Sequence, residues 1–168
     1  MARQTDSFFI RANVPITVAG GFAQTEIDLG AYVDALGKSV LKIHNVQVHM
    51  QDSSALQRPP LYNTGSGCEV AWQMTTQNQT GIVLTSNRSV VSAGLSQFAE
   101  VTGGQLSSDA AGLNVQHFTD GYLIAVEQMY LGAHGTGLTS DVTVSVVLEC
   151  TVESLTQSAA MALALSQQ

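Results

Sequence analysis

The stretch DVTVSVVLECTVE, residues 141–153, decides the fold class. Val142, Val144, Val146, Leu148, Cys150 and Val152 fall on one side of an extended chain, and Thr143, Ser145, Val147, Glu149, Thr151 and Glu153 on the other. Successive side chains of a strand point to opposite faces, so this period of two is that of a β-strand with one buried side. A helix would place its apolar residues three and four apart, and this stretch does not.

The same reading extends upstream. Residues 122–131 are β-rich and apolar on both faces apart from Glu127 and Gln128, as in a more central strand, and the Gly-rich segment 132–137 reads as the turn that follows. Cys68, Val70, Trp72 and Met74 alternate with Glu69, Ala71, Gln73 and Thr75, which makes Trp72 a core residue. Between residues 40 and 50 the apolar set begins as Leu41 and Ile43 and continues as Val46, Val48 and Met50, so its parity changes near His44 and Asn45, as a β-bulge would cause. Residues 8–18, 81–85, 88–93 and 113–119 complete a set of eight candidate strands.

Helix is scarce. Residues 31–36 suit one or two turns, with Gly37 in the usual C-terminal position. The tail, 154–168, carries no charge, has Ser154 as a candidate N-cap, and spaces Leu155, Ala159 and Leu163 four apart. Such an apolar tail needs a surface to cover it, either its own sheet or a neighbouring subunit, and it is too short to span a bilayer. The expected organisation is one domain over 1–168, with 1–7 as an N-terminal arm and 154–168 as a C-terminal tail.

Composition narrows the function. Charged residues make up 11% of the 168-residue chain, against roughly 25% in an average soluble domain, so its surface is largely Ser, Thr, Gln, Asn and Gly. Few charges then have to be desolvated when copies meet, which favours self-association. The net charge of −7 and the scattering of the six basic residues, Arg3, Arg11, Lys38, Lys42, Arg58 and Arg88, argue against strong direct binding of nucleic acid. No apolar run is long enough for a transmembrane segment, and no signal peptide opens the chain. Cys68 and Cys150 lie on apolar sides of strands, as buried free thiols do.

The sequence offers no catalytic residue, cofactor or metal. Gly37-Lys38-Ser39 imitates the end of a phosphate-binding loop, yet Tyr32 stands where that loop requires Gly, and a strand pattern follows instead of a helix. His44 and His49, five apart, face opposite sides of a regular strand, and His117 and His134 belong to other segments. Asp109, Asp120, Asp141 and Glu127 are dispersed, Asp120-Gly121 and Ser140-Asp141 having the character of turns. No Ser sits in a nucleophile elbow, and neither cysteine has a neighbouring His. Asn78-Gln79-Thr80 and Asn87-Arg88-Ser89 fit the glycosylation pattern, which is common by chance.

Eight strands, a late Gly-rich turn, and the segment DGYLIAVEQMYLGAHGTGLTSDVTVSVVLECTVE, 120–153, as a last hairpin-like pair running into the tail, together resemble the single jelly-roll capsid proteins of small icosahedral viruses. The resemblance implies an all-β, eight-stranded antiparallel jelly-roll sandwich of two four-stranded sheets with a short C-terminal helical tail. It implies a structural coat protein of the virion, whose partners are copies of itself in a large homo-oligomer, with other capsid proteins as further companions. Many such proteins begin with an Arg- and Lys-rich arm, whereas the first twenty residues here contain only Arg3 and Arg11. The residues expected to serve assembly are Leu155, Met161, Leu163 and Leu165 in the tail, with Phe8 and Phe9 as an N-terminal anchor. The alternative is a β-sandwich binding module, carbohydrate-binding or adhesive, with Trp72, Tyr62 or Tyr130 as stacking platforms.

Overall fold

The computed structural model describes residues 2–3, 6–34, 38–57, 60, 67–101, 105–110 and 115–168. The first sheet contains β1 (Ala2–Arg3), β2 (Phe8–Ile16), β4 (Ser39–Asp52), β8 (Val115–Ile124) and β10 (Val142–Ser154). Strands β1 and β2 follow one another along one edge of β10, and β4 and then β8 lie on its other side. The second sheet has the order β3 (Gly21–Asp28), β9 (Gln128–Thr136), β5 (Cys68–Thr75), β6 (Val90–Val101), β7 (Gln105–Ala110). Every pairing is antiparallel.

The pairings are nested. Strand β2 pairs with β10, β3 with β9, β4 with β8, and β5 with β6, so the chain is one long antiparallel hairpin rolled until its pairs alternate between two sheets. This is the jelly roll, built of eight strands, with β1 and β7 as additions that give each sheet a fifth strand. The expected four-stranded sheets are corrected accordingly. Strands β9 and β10 are not a hairpin: consecutive in sequence, they lie in opposite sheets.

Between the sheets lies a continuous core. Val142, Val144, Val146, Leu148 and Cys150 of β10, with Leu41, Ile43 and Val46 of β4, face Val70, Trp72, Met74, Met129 and Leu131 of the second sheet. Trp72 is 1% exposed and lies over Gly94, where a Cβ would come within 2.6 Å of its Nε1. Along β10 the alternation of residues 141–153 holds until Thr151, Val152 and Glu153, all of which are buried. The parity change in β4 is a bulge at His44: the register shifts between Glu149 and Cys150 on one neighbour and between Ile43 and Asn45 against the other.

Several expectations are revised. The run 122–131 is two strand ends, because the chain crosses from β8 to β9 between them, and Ala125 and Val126 at the crossing are buried. Residues 132–136 belong to β9 instead of a turn. Gly132 is there because the Phe22 ring lies 2.8 Å from where its Cβ would be, and Gly135 because Leu138 lies 2.5 Å from its own. Residues 81–85 form no strand. They lie in a loop over the second sheet, whose Val83 N donates to Gln73 Oε1 at 2.9 Å and buries that side chain.

Residues 88–93 become β6 only from Val90, and that strand runs on to Val101. The expected strand 113–119 corresponds to β8 from Val115 onward, residues 113 and 114 lying outside the described residues. Asp120 and Gly121 lie within β8, where Gly121 takes a positive φ of 76° to let the Lys42 side chain pass. Strand β3 has no counterpart in the sequence reading, since only Ile27 of its residues is fully buried.

Around residues 31–34 the chain makes a single turn, in which Leu29 O accepts from Tyr32 N and Val33 N, while 35–37 lie outside the described residues. The tail is a helix, α1 (Gln157–Ser166), capped by Thr156 instead of Ser154. Ser154 still pairs in β10, so the first free backbone N–H groups come two residues later.

Candidate assembly surface

The tail folds back on its own domain. Ala160 and Ala164 of α1 are buried against Val40 and Ala125, with Leu123, Leu155 and Leu163 packed around them. Because alanine faces the sheet, the helix lies close to it, and a polar clasp at its end holds it there. Gln167 Oε1 accepts from Ala125 N at 3.0 Å, Gln167 Nε2 donates to Leu123 O at 2.7 Å, and Gln167 O accepts from Thr76 Oγ1 at 2.7 Å. One side-chain amide thus serves the backbone groups freed where β8 gives way to β9. Nothing in the spacing of the tail pointed to Gln167.

The six residues expected to serve assembly divide into two groups. Phe8 is partly buried against the core and stacks on Tyr32 with ring centroids 4.7 Å apart, and Leu155 and Leu163 pack within the tail's own cluster. Phe9, Met161 and Leu165 are exposed at 52%, 44% and 67%. Met161 and Leu165 stand four apart, on one stripe of α1. Further large apolar side chains, Ile82 and Leu84, are exposed in the loop before β6.

The outer face of the first sheet carries a polar hollow of about 300 Å³ lined by Ser7, His44, Glu149, Thr151 and Glu153. The His44 bulge positions it: the ring's Nε2 lies 2.9 Å from Thr151 Oγ1. Glu153 Oε1 accepts from Lys42 Nζ at 3.0 Å, in a pair whose side chains are 17% and 10% exposed for Lys42 and Glu153 respectively. Glu153 Oε2 is buried and has no hydrogen-bond partner among the described residues. Phe9 stands directly across from Glu149 in the register, and the Arg11 guanidinium lies 5.6 Å from the centroid of the Phe9 ring.

Elsewhere the polar groups serve the fold. Asp52 at the end of β4 accepts from Ser54 Oγ at 2.6 Å, Ser140 Oγ at 2.7 Å, Ser54 N at 2.8 Å and Ala55 N at 3.1 Å, joining two loops. The hydroxyls of Ser54 and then Ser140 hold its carboxyl down at about 2, against the opposing effect of burial. Both thiols are free and buried. Burial, helped by the adjacent Glu69 and Glu149 charges, pushes Cys68 up to about 11 and Cys150 up to about 12. Among the described residues no group of three or more His, Cys, Asp or Glu is placed to hold a metal ion, and no helix is long and apolar enough to cross a membrane.

Of the aromatic residues considered as ligand platforms, Trp72 is sealed in the core and Tyr62 lies outside the described residues. Tyr130 borders a hollow of about 520 Å³ shared with Thr76, Gln77, Asn78 and Gln128, and its hydroxyl donates to Gln128 Oε1 at 3.1 Å.

No protein-family model matches this sequence, and no curated protein matches it either. Among solved structures it is similar to the unassembled VP1 pentamer of Washington University polyomavirus, at 7% identity and a TM-score of 0.44, over 92% of this chain and 97% of that one. It is likewise similar to VP1 of trichodysplasia spinulosa-associated polyomavirus in complex with 3'-sialyllactose, at 8% identity and a TM-score of 0.41, over 92% and 99%. A third similarity is to latent PorU of Porphyromonas gingivalis, at 9% identity and a TM-score of 0.35, over 92% of this chain and 14% of PorU.

Proposed function

We propose that this chain is a structural coat protein of a virion, a non-enzymatic subunit that assembles with copies of itself into a closed icosahedral shell. The observation that carries the reading is the stripe of Met161 and Leu165, left in solvent on an uncharged helix that is itself clasped to the domain. A monomer gains nothing from such a stripe, whereas an apolar contact between copies does. The jelly roll supports the reading by presenting two broad sheet faces and loop clusters at both ends of a rigid sandwich. The low charge supports it as well, because contacts between such surfaces desolvate few ions.

In this reading Phe9, Met161 and Leu165 are contact residues, and Phe8, Leu155 and Leu163 hold the N-terminal strand and the tail in place to present them. Genome charge falls to other components, since the chain is acidic and its basic residues are scattered. Negative-stain electron microscopy of the purified chain at low and high salt tests the proposal. Uniform closed particles are the expected result, and a monodisperse monomer at every salt and protein concentration overturns it.

A further inference from the structure

Where the chain crosses from β8 to β9 it builds a hollow of about 520 Å³ with walls from three places. They are Thr76, Gln77 and Asn78 after β5, residues 125–128 of the crossing together with Tyr130 of β9, and Ala164 and Gln168 of the tail. These walls are tied to one another. Gln167 Oε1 accepts from Ala125 N and Gln167 O from Thr76 Oγ1, so one residue links the tail wall to the other two. Tyr130 is held as well: its hydroxyl donates to Gln128 Oε1 at 3.1 Å, and Gln128 Nε2 donates to Glu26 Oε1 at 2.9 Å, with Glu26 directly across from Tyr130 in the register. A hollow whose groups are already in place binds without the entropic cost of ordering them.

Its lining combines two kinds of surface. Ala125 and Val126, both buried, and the Tyr130 ring make the apolar part. Around them, the side-chain amides of Gln77 and Asn78 and the Glu127 carboxylate make no hydrogen bond among the described residues. The fold does not use these three groups, unlike the amides of Gln73 and Gln167, which tie a loop and the tail to the sheets. An amide both donates and accepts and a carboxylate accepts, so the rim as a whole gives and takes hydrogen bonds. Among the described residues no Lys or Arg lines the hollow and one Glu does, in a chain of net charge −7, which disfavours an anion. The matching ligand is uncharged, has a flat apolar face to lie on an aromatic ring, and carries neighbouring hydroxyls at its edge. A pyranose is built that way, with C–H groups gathered on one face and hydroxyls around the rim.

We propose that this hollow binds a neutral saccharide, one pyranose ring stacking on Tyr130 while its hydroxyls bond to Gln77, Asn78 and Glu127. The inference goes beyond the assembly reading and does not rest on it, since a single chain supplies the whole lining.

Saturation-transfer NMR on the full chain tests it, with lactose, maltose and cellobiose as neutral probes and N-acetylneuraminic acid as an anionic one. Magnetisation passes from the protein to the ring protons of at least one neutral disaccharide, with a Kd on the order of 1 mM. Tyr130→Ala weakens that binding about tenfold and Asn78→Ala about threefold, whereas Tyr130→Phe, which keeps the ring, stays within about twofold of the parent. Absence of transfer to all three neutral probes overturns the proposal, as does transfer that Tyr130→Ala leaves unchanged. N-acetylneuraminic acid binding as tightly as the best neutral probe overturns the neutral class. Should Tyr130→Ala fail to fold, Asn78→Ala at its exposed position decides, and unchanged affinity there overturns the proposal. A chain that binds saccharide without ever assembling removes only the shell reading, and one that assembles without binding removes only this inference.

Discussion

Replacing Met161 and Leu165 together by Gln separates assembly from folding. Fully burying a Leu or Met side chain is worth about 1.5–3 kcal/mol. With 44% of Met161 and 67% of Leu165 still open to solvent, the burial left to be gained between copies is about 2–3 kcal/mol per subunit. At about 1.4 kcal/mol for each tenfold, the concentration needed for assembly rises roughly 30- to 150-fold. Gln keeps the helix propensity of the stripe, so the domain itself loses no more than about 0.5 kcal/mol. Sedimentation velocity across a dilution series gives the assembly threshold, and thermal unfolding followed by circular dichroism gives the stability. An unchanged threshold refutes the role of the stripe. A large drop in melting temperature refutes its separation from the fold.

Three further outcomes follow from the interior. Gly94→Ala forces a methyl to within 2.6 Å of Trp72 Nε1 and destabilises the domain by about 1–3 kcal/mol, read by urea unfolding with tryptophan fluorescence; unchanged stability means that the indole does not rest there. The Asp52 carboxyl, held at about 2 when folded against roughly 3.9 in an unfolded chain, contributes stability that is intact above about pH 4 and withdrawn as the pH falls toward 2. Asp52→Asn flattens that part of the acid-unfolding curve, and a curve of unaltered shape contradicts the assignment. Cys68 and Cys150, pushed up to about 11 and about 12, stay unreactive toward a thiol reagent at pH 8 in the native protein and both react once it is unfolded; rapid native labelling of either contradicts their burial.

Strands with one face in the core and one in solvent were legible in the sequence, as β10 and β5 show, because burial on one side alone imposes the period of two. The bulge at His44 was legible for the same reason, since an extra residue reverses the parity of everything after it. Where both faces are covered, or neither is, the signal disappears. In β3 only Ile27 is fully buried, while Phe22, Ala23, Gln24 and Thr25 in succession are half-buried without alternation, and the crossing from β8 to β9 buries Ala125 and Val126 in succession and so reads as one strand. Glycine misled in β9, where it makes room for the Phe22 ring and for Leu138 instead of turning the chain.

The apolar tail announced that it needed a covering surface, but composition did not divide that need between its own sheet and a neighbour. The division depends on which helical stripe carries alanine: Ala160 and Ala164 let α1 lie close to the sheet, which turns Met161 and Leu165 outward. The Gln167 clasp was beyond reach, because its partners, Leu123 and Ala125, lie more than forty residues away and acquire free backbone groups only where β8 ends. The acidic hollow has the same origin. Glu149, Thr151 and Glu153 stand on one face of β10 by simple alternation, yet His44 joins them only because the bulge at that residue interrupts the register of β4. A feature that sequence alone reads as a parity change therefore builds the polar hollow, with the exposed Phe9 standing across from Glu149 beside it.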